Sequence, residues 1–163
     1  MSFSEDMAYC KVNKMTEELA EDFIGYKLGK NTEIPSNLTA TTLRRLAADL
    51  EREHGDLFKN MLKSLRSPNT GETVFLKIAK EMFTDQIINW GRIAVLYTFA
   101  GHMAVYCEKN RMKTESENVA CWVSSFVKSN MSDWIVKNGG WVCILIVASL
   151  VDLVEPVVLV YSY

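Results

Sequence analysis

Apolar residues recur along most of this chain at steps of three, four and seven, the period of helices that bury one face. From about Ser4 to Leu28, Val12, Met15, Leu19 and Phe23 form one stripe, and Glu17, Glu18, Glu21 and Asp22 fall to other faces. A second helix is predicted after Asn37, from Thr41 or Thr42 to about Leu65, carried by Leu43, Leu46, Leu50, Leu57, Met61 and Leu65. A third, Glu72 to about Ile88, carries Phe75, Ile78, Met82 and Phe83. The segment Ile93–Cys107 differs in kind, because it holds no Asp, Glu, Lys or Arg. A helix apolar on all sides is either the centre of a helical protein or a membrane span. Fifteen residues are short of the roughly 20 a span needs, so a buried central helix is expected. A fifth helix, Ser116 to about Met131, aligns Val119, Trp122, Val123, Phe126 and Val127; a short sixth starts near Asp133 and stops at Gly139-Gly140. Two of the three prolines mark loops at Asn31–Ser36 and Ser67–Gly71. No strand pattern competes, so the expected fold is all-α: amphipathic helices around one apolar helix.

Composition narrows the function. With 163 residues the chain reads as one domain, able to bury roughly two-thirds of its unfolded surface without disulfide or metal. The net charge of -2 and the lack of a basic stripe argue against nucleic acid as a partner. The four cysteines, at 10, 107, 121 and 143, form no Cys-x-x-Cys pair, and three of them lie in apolar stretches. Free buried thiols in a reducing compartment are expected. The N-terminus has no basic start with an apolar run, so a cytosolic chain is expected.

Catalytic readings fail. Glu51 and His54 have the spacing of one di-metal helix, but no second Glu-x-x-His accompanies them. His102 and Cys107 sit five apart, about 140° around a helix, too far apart to form a dyad. There is no phosphate loop and no nucleophile elbow. The chain reads as no enzyme, with no catalytic residue, metal site, cofactor or small-molecule substrate.

The informative constellation is Asn89-Trp90-Gly91-Arg92, directly before the apolar helix. Asn89 is a good N-cap. Gly91 leaves room for close approach of another chain. Arg92 is a permanent cation at the positive end of a helix, unfavourable there until an anion arrives, and expected to be exposed. An Arg in that position awaiting a carboxylate is a binding feature. This run resembles the first homology motif of the Bcl-2 family, and Trp134-Ile135-Val136-Lys137-Asn138-Gly139-Gly140-Trp141, some 40 residues on, resembles the second. Gly25-Tyr26-Lys27-Leu28 resembles the end of the fourth motif, and Leu43-Arg44-Arg45-Leu46 the third. The match runs from about residue 8 to 145, and the nearest subgroup looks like the short-loop survival members related to the myeloid-cell-leukaemia type.

The resemblance implies a bundle of about eight helices around a central apolar helical hairpin, with a surface groove that receives the third-motif helix of pro-death relatives. It implies an Asp of that helix paired with Arg92, apolar contacts from Leu50, His54, Phe58, Met61, Ala79, Met82, Val95 and Phe99, and Asp85, Asn89 and Gly91 on the polar side. The expected partners are pro-apoptotic Bcl-2 family proteins; the expected setting is the cytoplasm, with contact at the mitochondrial outer membrane. The alternative is a Bak- or Bax-like effector that permeabilises that membrane.

Two departures bear on that choice. The Gly-Asp of the third motif is replaced by Ala47-Ala48, and Asp49 lies about 100° out of phase. A chain without that Asp receives helices better than it donates one, which favours survival over effector action. The C-terminal run from Trp141 is broken by Asp152, Glu155 and Pro156, and each buried charge costs a span about 2.5–3.5 kcal/mol. The expected division is therefore a helical domain over 1–145 and an apolar tail over 146–163 that covers the groove or touches a membrane peripherally.

Overall fold

The first helix, α1 (Phe3–Lys27), opens on a capping box. Ser2 Oγ accepts the amide of Glu5, and the Glu5 carboxylate accepts the amide of Ser2 at 2.9 Å, so two orphan donors are satisfied at once. The computed structural model describes residues 2–30, 34–63 and 71–147, and among these every regular element is helical. The expected apolar tail beyond 147 lies outside the described residues, and the expected division at 145/146 falls inside the short α6 (Ile144–Val147). No helix among the described residues is long and apolar enough to cross a membrane.

The second helix, α2 (Leu38–Leu62), starts a turn earlier than its apolar stripe, because Asn37 Oδ1 caps the amide of Ala40 at 2.8 Å. It is broken inside: His54 has φ −133 and ψ 37, well away from helical values. The third, α3 (Gly71–Met82), ends six residues before Ile88. Asp85 explains the early stop. Its side chain accepts the amide of Ile87 at 3.1 Å, a local bond that competes with the helix ladder. Gln86 follows in the left-handed region at φ 61, which no helix continues through.

The apolar helix α4 (Trp90–Lys109) is capped by Asn89, whose Oδ1 accepts the amide of Arg92 at 2.8 Å. As expected, its core-facing residues from Ile93 to Cys107 are nearly all inaccessible. It packs against α1, α2, α3 and α5. Gly101 makes the approach to α1 possible, since a Cβ there would lie 2.9 Å from both Phe23 Cε1 and Lys27 Cγ. A tight turn leads to α5 (Lys113–Lys137), antiparallel partner to α4. Here the sequence reading is corrected: one helix runs through the expected break at Ser132-Asp133. Ser132 does not cap a new helix, because its hydroxyl donates to Asn13 Oδ1 at 2.6 Å. Tyr9 donates to Asp133 at 2.7 Å, a second tie between α1 and α5. Gly139 and Gly140, at φ 93 and 82, stop the helix as expected. A 3-10 turn, Trp141–Cys143, follows.

Six helices are present among the described residues, against the eight expected, while the central α4–α5 hairpin is as anticipated. All four cysteines are free. Only Cys107 is fully buried; Cys10 and Cys121 are exposed, which corrects the expectation that free also meant buried. Burial pushes the Cys107 thiol up to about 11, so it stays protonated and inert.

Candidate functional site

Aromatic packing brings the two distant motifs together. Trp90, the first residue of α4, meets Trp134 of α5 at 5.1 Å between ring centroids and Trp141 at 5.5 Å. Trp141 also meets Tyr97 edge-on at 5.7 Å. Their polar ends converge on one residue of α1. Trp141 Nε1 donates to Thr16 Oγ1 at 2.9 Å, and the Tyr97 hydroxyl donates to the Thr16 carbonyl at 3.1 Å. Burial holds the Tyr97 proton on far above its ordinary range, so the hydroxyl remains a donor.

Arg92 projects from the start of this braced unit, and here the structure corrects the sequence reading. Arg92 is only 2 % exposed, and its anion is already present. Nη1 lies 2.6 Å from Asp85 Oδ1 and Nη2 2.7 Å from Asp85 Oδ2, a bidentate charge-assisted pair. Nη1 also points at the carbonyls of Ile87 at 3.0 Å and Met82 at 3.3 Å. The guanidinium thus replaces the ladder that the end of α3 and the following turn lack. It holds the Asp85 carboxyl down to about 2, chiefly through their hydrogen bond and helped by the Ile87 amide. Arg92 Nε is buried with no partner.

The expected groove residues are brought together, but as core. Leu50 is 6 % exposed, Met82 4 %, Met61 1 %, and Phe58, Ala79, Val95 and Phe99 are 0 %, all within one apolar cluster. Phe99 stacks on Phe75 of α3. Phe58 stacks on His102 of α4 with centroids 4.9 Å apart. A ligand helix reaches these side chains only if the elements around them part. Of the remaining expected site residues, His54 sits half-buried at the break in α2, Asn89 and Gly91 are half-buried, and Asp85 is exposed. A cavity of about 610 Å³ lies elsewhere, lined by Lys11, Met15, Leu38, Trp141, Val142 and Leu145 among others.

His102, in the middle of α4, sits beside two charged groups. His102 Nε2 is 3.1 Å from Glu51 Oε1, close enough for ion pairing though out of line for a hydrogen bond, and Lys27 reaches the same oxygen at 2.6 Å. Burial lowers the His102 pKa, opposed by Glu51 and reinforced by Lys27.

Sequence reasoning missed a second bidentate pair. Asp22 of α1, assigned to an outer face, is 4 % exposed and binds Arg44 of α2: Nη2 at 2.9 Å from Oδ1, Nε at 3.1 Å from Oδ2. Asp22 Oδ1 also accepts the amide of Ser36, and the Arg44 guanidinium lies 4.2 Å over the Tyr26 ring. The signal was available, since Asp22 stands three past Leu19 and seven past Met15, on the apolar stripe itself. Within the third-motif segment, Ala48 is exposed and Asp49 pairs with Arg52 at 2.9 Å on the surface.

These features define an all-helical bundle in which two distant tryptophan motifs frame a helix-start arginine. A family model described as apoptosis regulator proteins of the Bcl-2 family matches residues 43–141, well over half of the chain, and the chain belongs to that family. It is 29% identical over 127 residues to anti-apoptotic protein NR13 of Coturnix japonica, covering 77% of this chain and 71% of that one. It is 34% identical over 101 residues to the apoptosis regulator Bcl-2 of Canis lupus familiaris, covering 61% of this chain but 42% of that one, so it spans less than half of Bcl-2. The fold matches a zebrafish pro-survival protein, NRZ, solved as a complex with Bad BH3: TM-score 0.74, 26% identity, 83% of this chain and 93% of that one.

Proposed function

We propose that this chain is a survival-type regulator that captures the third-motif helices of pro-death family members beside Arg92. The observation that carries the reading is the contrast within its own motifs. Arg92 presents a carboxylate-shaped hydrogen-bond fork, filled here by its own Asp85, while the third-motif segment has Ala47-Ala48 where a donor helix needs Gly-Asp. That segment is also fastened to α1 through the buried Arg44–Asp22 pair, which opposes its release as a ligand for a neighbour. Likeness to NR13, named anti-apoptotic, and to the NRZ–Bad BH3 complex supports the same role.

The ligand helix in this reading lies along Leu50, His54, Phe58, Met61, Ala79, Met82, Val95 and Phe99, with its acid at Arg92 and its backbone close to Asn89 and Gly91. Because those apolar side chains are now buried, binding is coupled to an opening of the walls. The short connection between α1 and α2 supports placement beside the short-loop survival members of the myeloid-cell-leukaemia type. A cytoplasmic chain meeting its partners at the mitochondrial outer membrane, with the 146–163 tail in peripheral contact, completes the proposal.

Fluorescence titration with labelled third-motif peptides tests it. Binding at micromolar protein or below is expected, weakened by ~tenfold or more when an apolar anchor of the peptide is replaced by Ala. No binding at micromolar protein sinks the reading. The effector alternative is separated by dye release from liposomes on addition of such a peptide, which a survival protein does not support.

A further inference from the structure

We propose that Asp85 is an internal placeholder for the ligand carboxylate, and that it sets how much this protein gains from the acid on an incoming helix. The inference rests on the helix-capturing reading above and concerns the regulation of that same site.

Arginine carries five N–H donors in a flat fork, and a carboxylate fits two of them at a time. Asp85 already takes the end of the fork, one oxygen on each terminal nitrogen. The Ile87 and Met82 carbonyls crowd Nη1 further. The other edge offers no easy alternative, because Nε is buried away from solvent. Burial on the two sides of the pair is unequal: the cation is 2 % exposed and the anion 46 %. From solvent, the group that presents itself at this cation is therefore the carboxylate of Asp85. An arriving acid must displace Asp85 or share the guanidinium with a like charge.

The local backbone favours displacement. Asp85 sits outside any helix, in the turn between α3 and α4, with its own Oδ1 also accepting the Ile87 amide. Gln86 beside it holds a left-handed conformation that L-residues adopt reluctantly. The same turn borders a cavity of about 290 Å³ lined by Phe83, Gln86, Ile88, Phe126 and others, so the turn has open space against it. A turn so placed can carry Asp85 away without disturbing α4, whose start is fixed by Asn89.

The consequence is a discount on ligand acidity. A ligand gains only the difference between its own carboxylate and the one it replaces. Affinity then comes mainly from the apolar anchors, and helices whose acid is weakly placed are discriminated against less than at an empty arginine.

The test is a two-by-two titration: wild type and Asp85→Asn, each with a third-motif peptide and its Asp→Ala form. Against the wild type, the Asp→Ala peptide is expected to lose less than ~threefold; against Asp85→Asn, the Asp peptide tightens by ~fivefold or more and the gap between peptides widens to ~tenfold. Circular dichroism controls for folding of the variant. Should Asp85→Asn not fold, the wild-type arm still decides, since a gap of tenfold or more there overturns the proposal. An Asp85→Asn protein that binds the Asp peptide no more tightly than the wild type also overturns it. Failure of the wild type to bind either peptide overturns the helix-capturing reading, and the placeholder with it, and is distinct from binding without the predicted gap.

Discussion

The molecule contains the same device twice. Arg44 and Arg92 each grip an aspartate with two parallel hydrogen bonds, at distances between 2.6 and 3.1 Å. Their settings are opposite. Arg44 joins two helices and both partners are buried, at 9 % and 4 %. Arg92 joins a helix start to a turn seven residues before it, and its aspartate stands in solvent. The pairing chemistry does not decide what the pair is for; the mobility and burial of the anion do. A buried anion cannot leave without stranding a charge, so the first pair is a fastening. The exposed Asp85 can give way to an incoming carboxylate that takes its place on the buried Arg92, so no charge is stranded and the second pair is exchangeable.

The largest effect is expected from breaking the fastening. Asp22→Ala should lower unfolding stability by ~3–5 kcal/mol, because it strands the Arg44 charge among buried groups. Urea denaturation measures this, and a loss below about 1 kcal/mol, the range of surface pairs, would erase the contrast between the two arginines. Next in size is Arg92→Ala. The sequence alone placed this cation in solvent and gave its loss little effect on folding. Its burial and its two carbonyl contacts instead predict a loss of about 1–3 kcal/mol, read in the same denaturation series. The smallest effect sharpens the comparison through pH. Asp85 is held down to about 2 from an ordinary 3.8, so its bond contributes fully above about 4 and is lost as pH falls through 2. In acid-unfolding curves the wild type should therefore exceed Asp85→Asn in stability by a constant amount above about pH 4, and the two curves should converge as pH falls through 2; a gap that persists unchanged below pH 2 would indicate a different cause.

The helices were legible because their apolar stripes are long. Asn89 was legible as a cap and Gly139-Gly140 as a stop, since both signals are local. The misreadings share a cause in longer-range competition. Phe83, Ile87 and Ile88 continue a helical rhythm past Met82, yet the claim of Arg92 on Asp85 and on two nearby carbonyls ends α3 there. Asp22 read as solvated because its partner lies 22 positions further on, in another helix. The candidate site residues were assigned as a set through motif resemblance, and the structure gathers the apolar ones in one cluster. Whether they lie open or covered is not encoded in their apolar character, and Phe58, Val95 and Phe99 are in fact sealed.

The break at His54 gives α2 a division of labour. Arg44 and Glu51, which anchor α2 to α1, precede it; Leu57, Phe58 and Met61 follow it. In the helix-capturing reading proposed above, a swing about this backbone position would move the later part as a door on its post, lifting Leu57, Phe58 and Met61 out of the core they now fill. The cost of that opening would then fall on the part of α2 beyond the joint, while the part tied to α1 through Arg44 and Glu51 keeps its place.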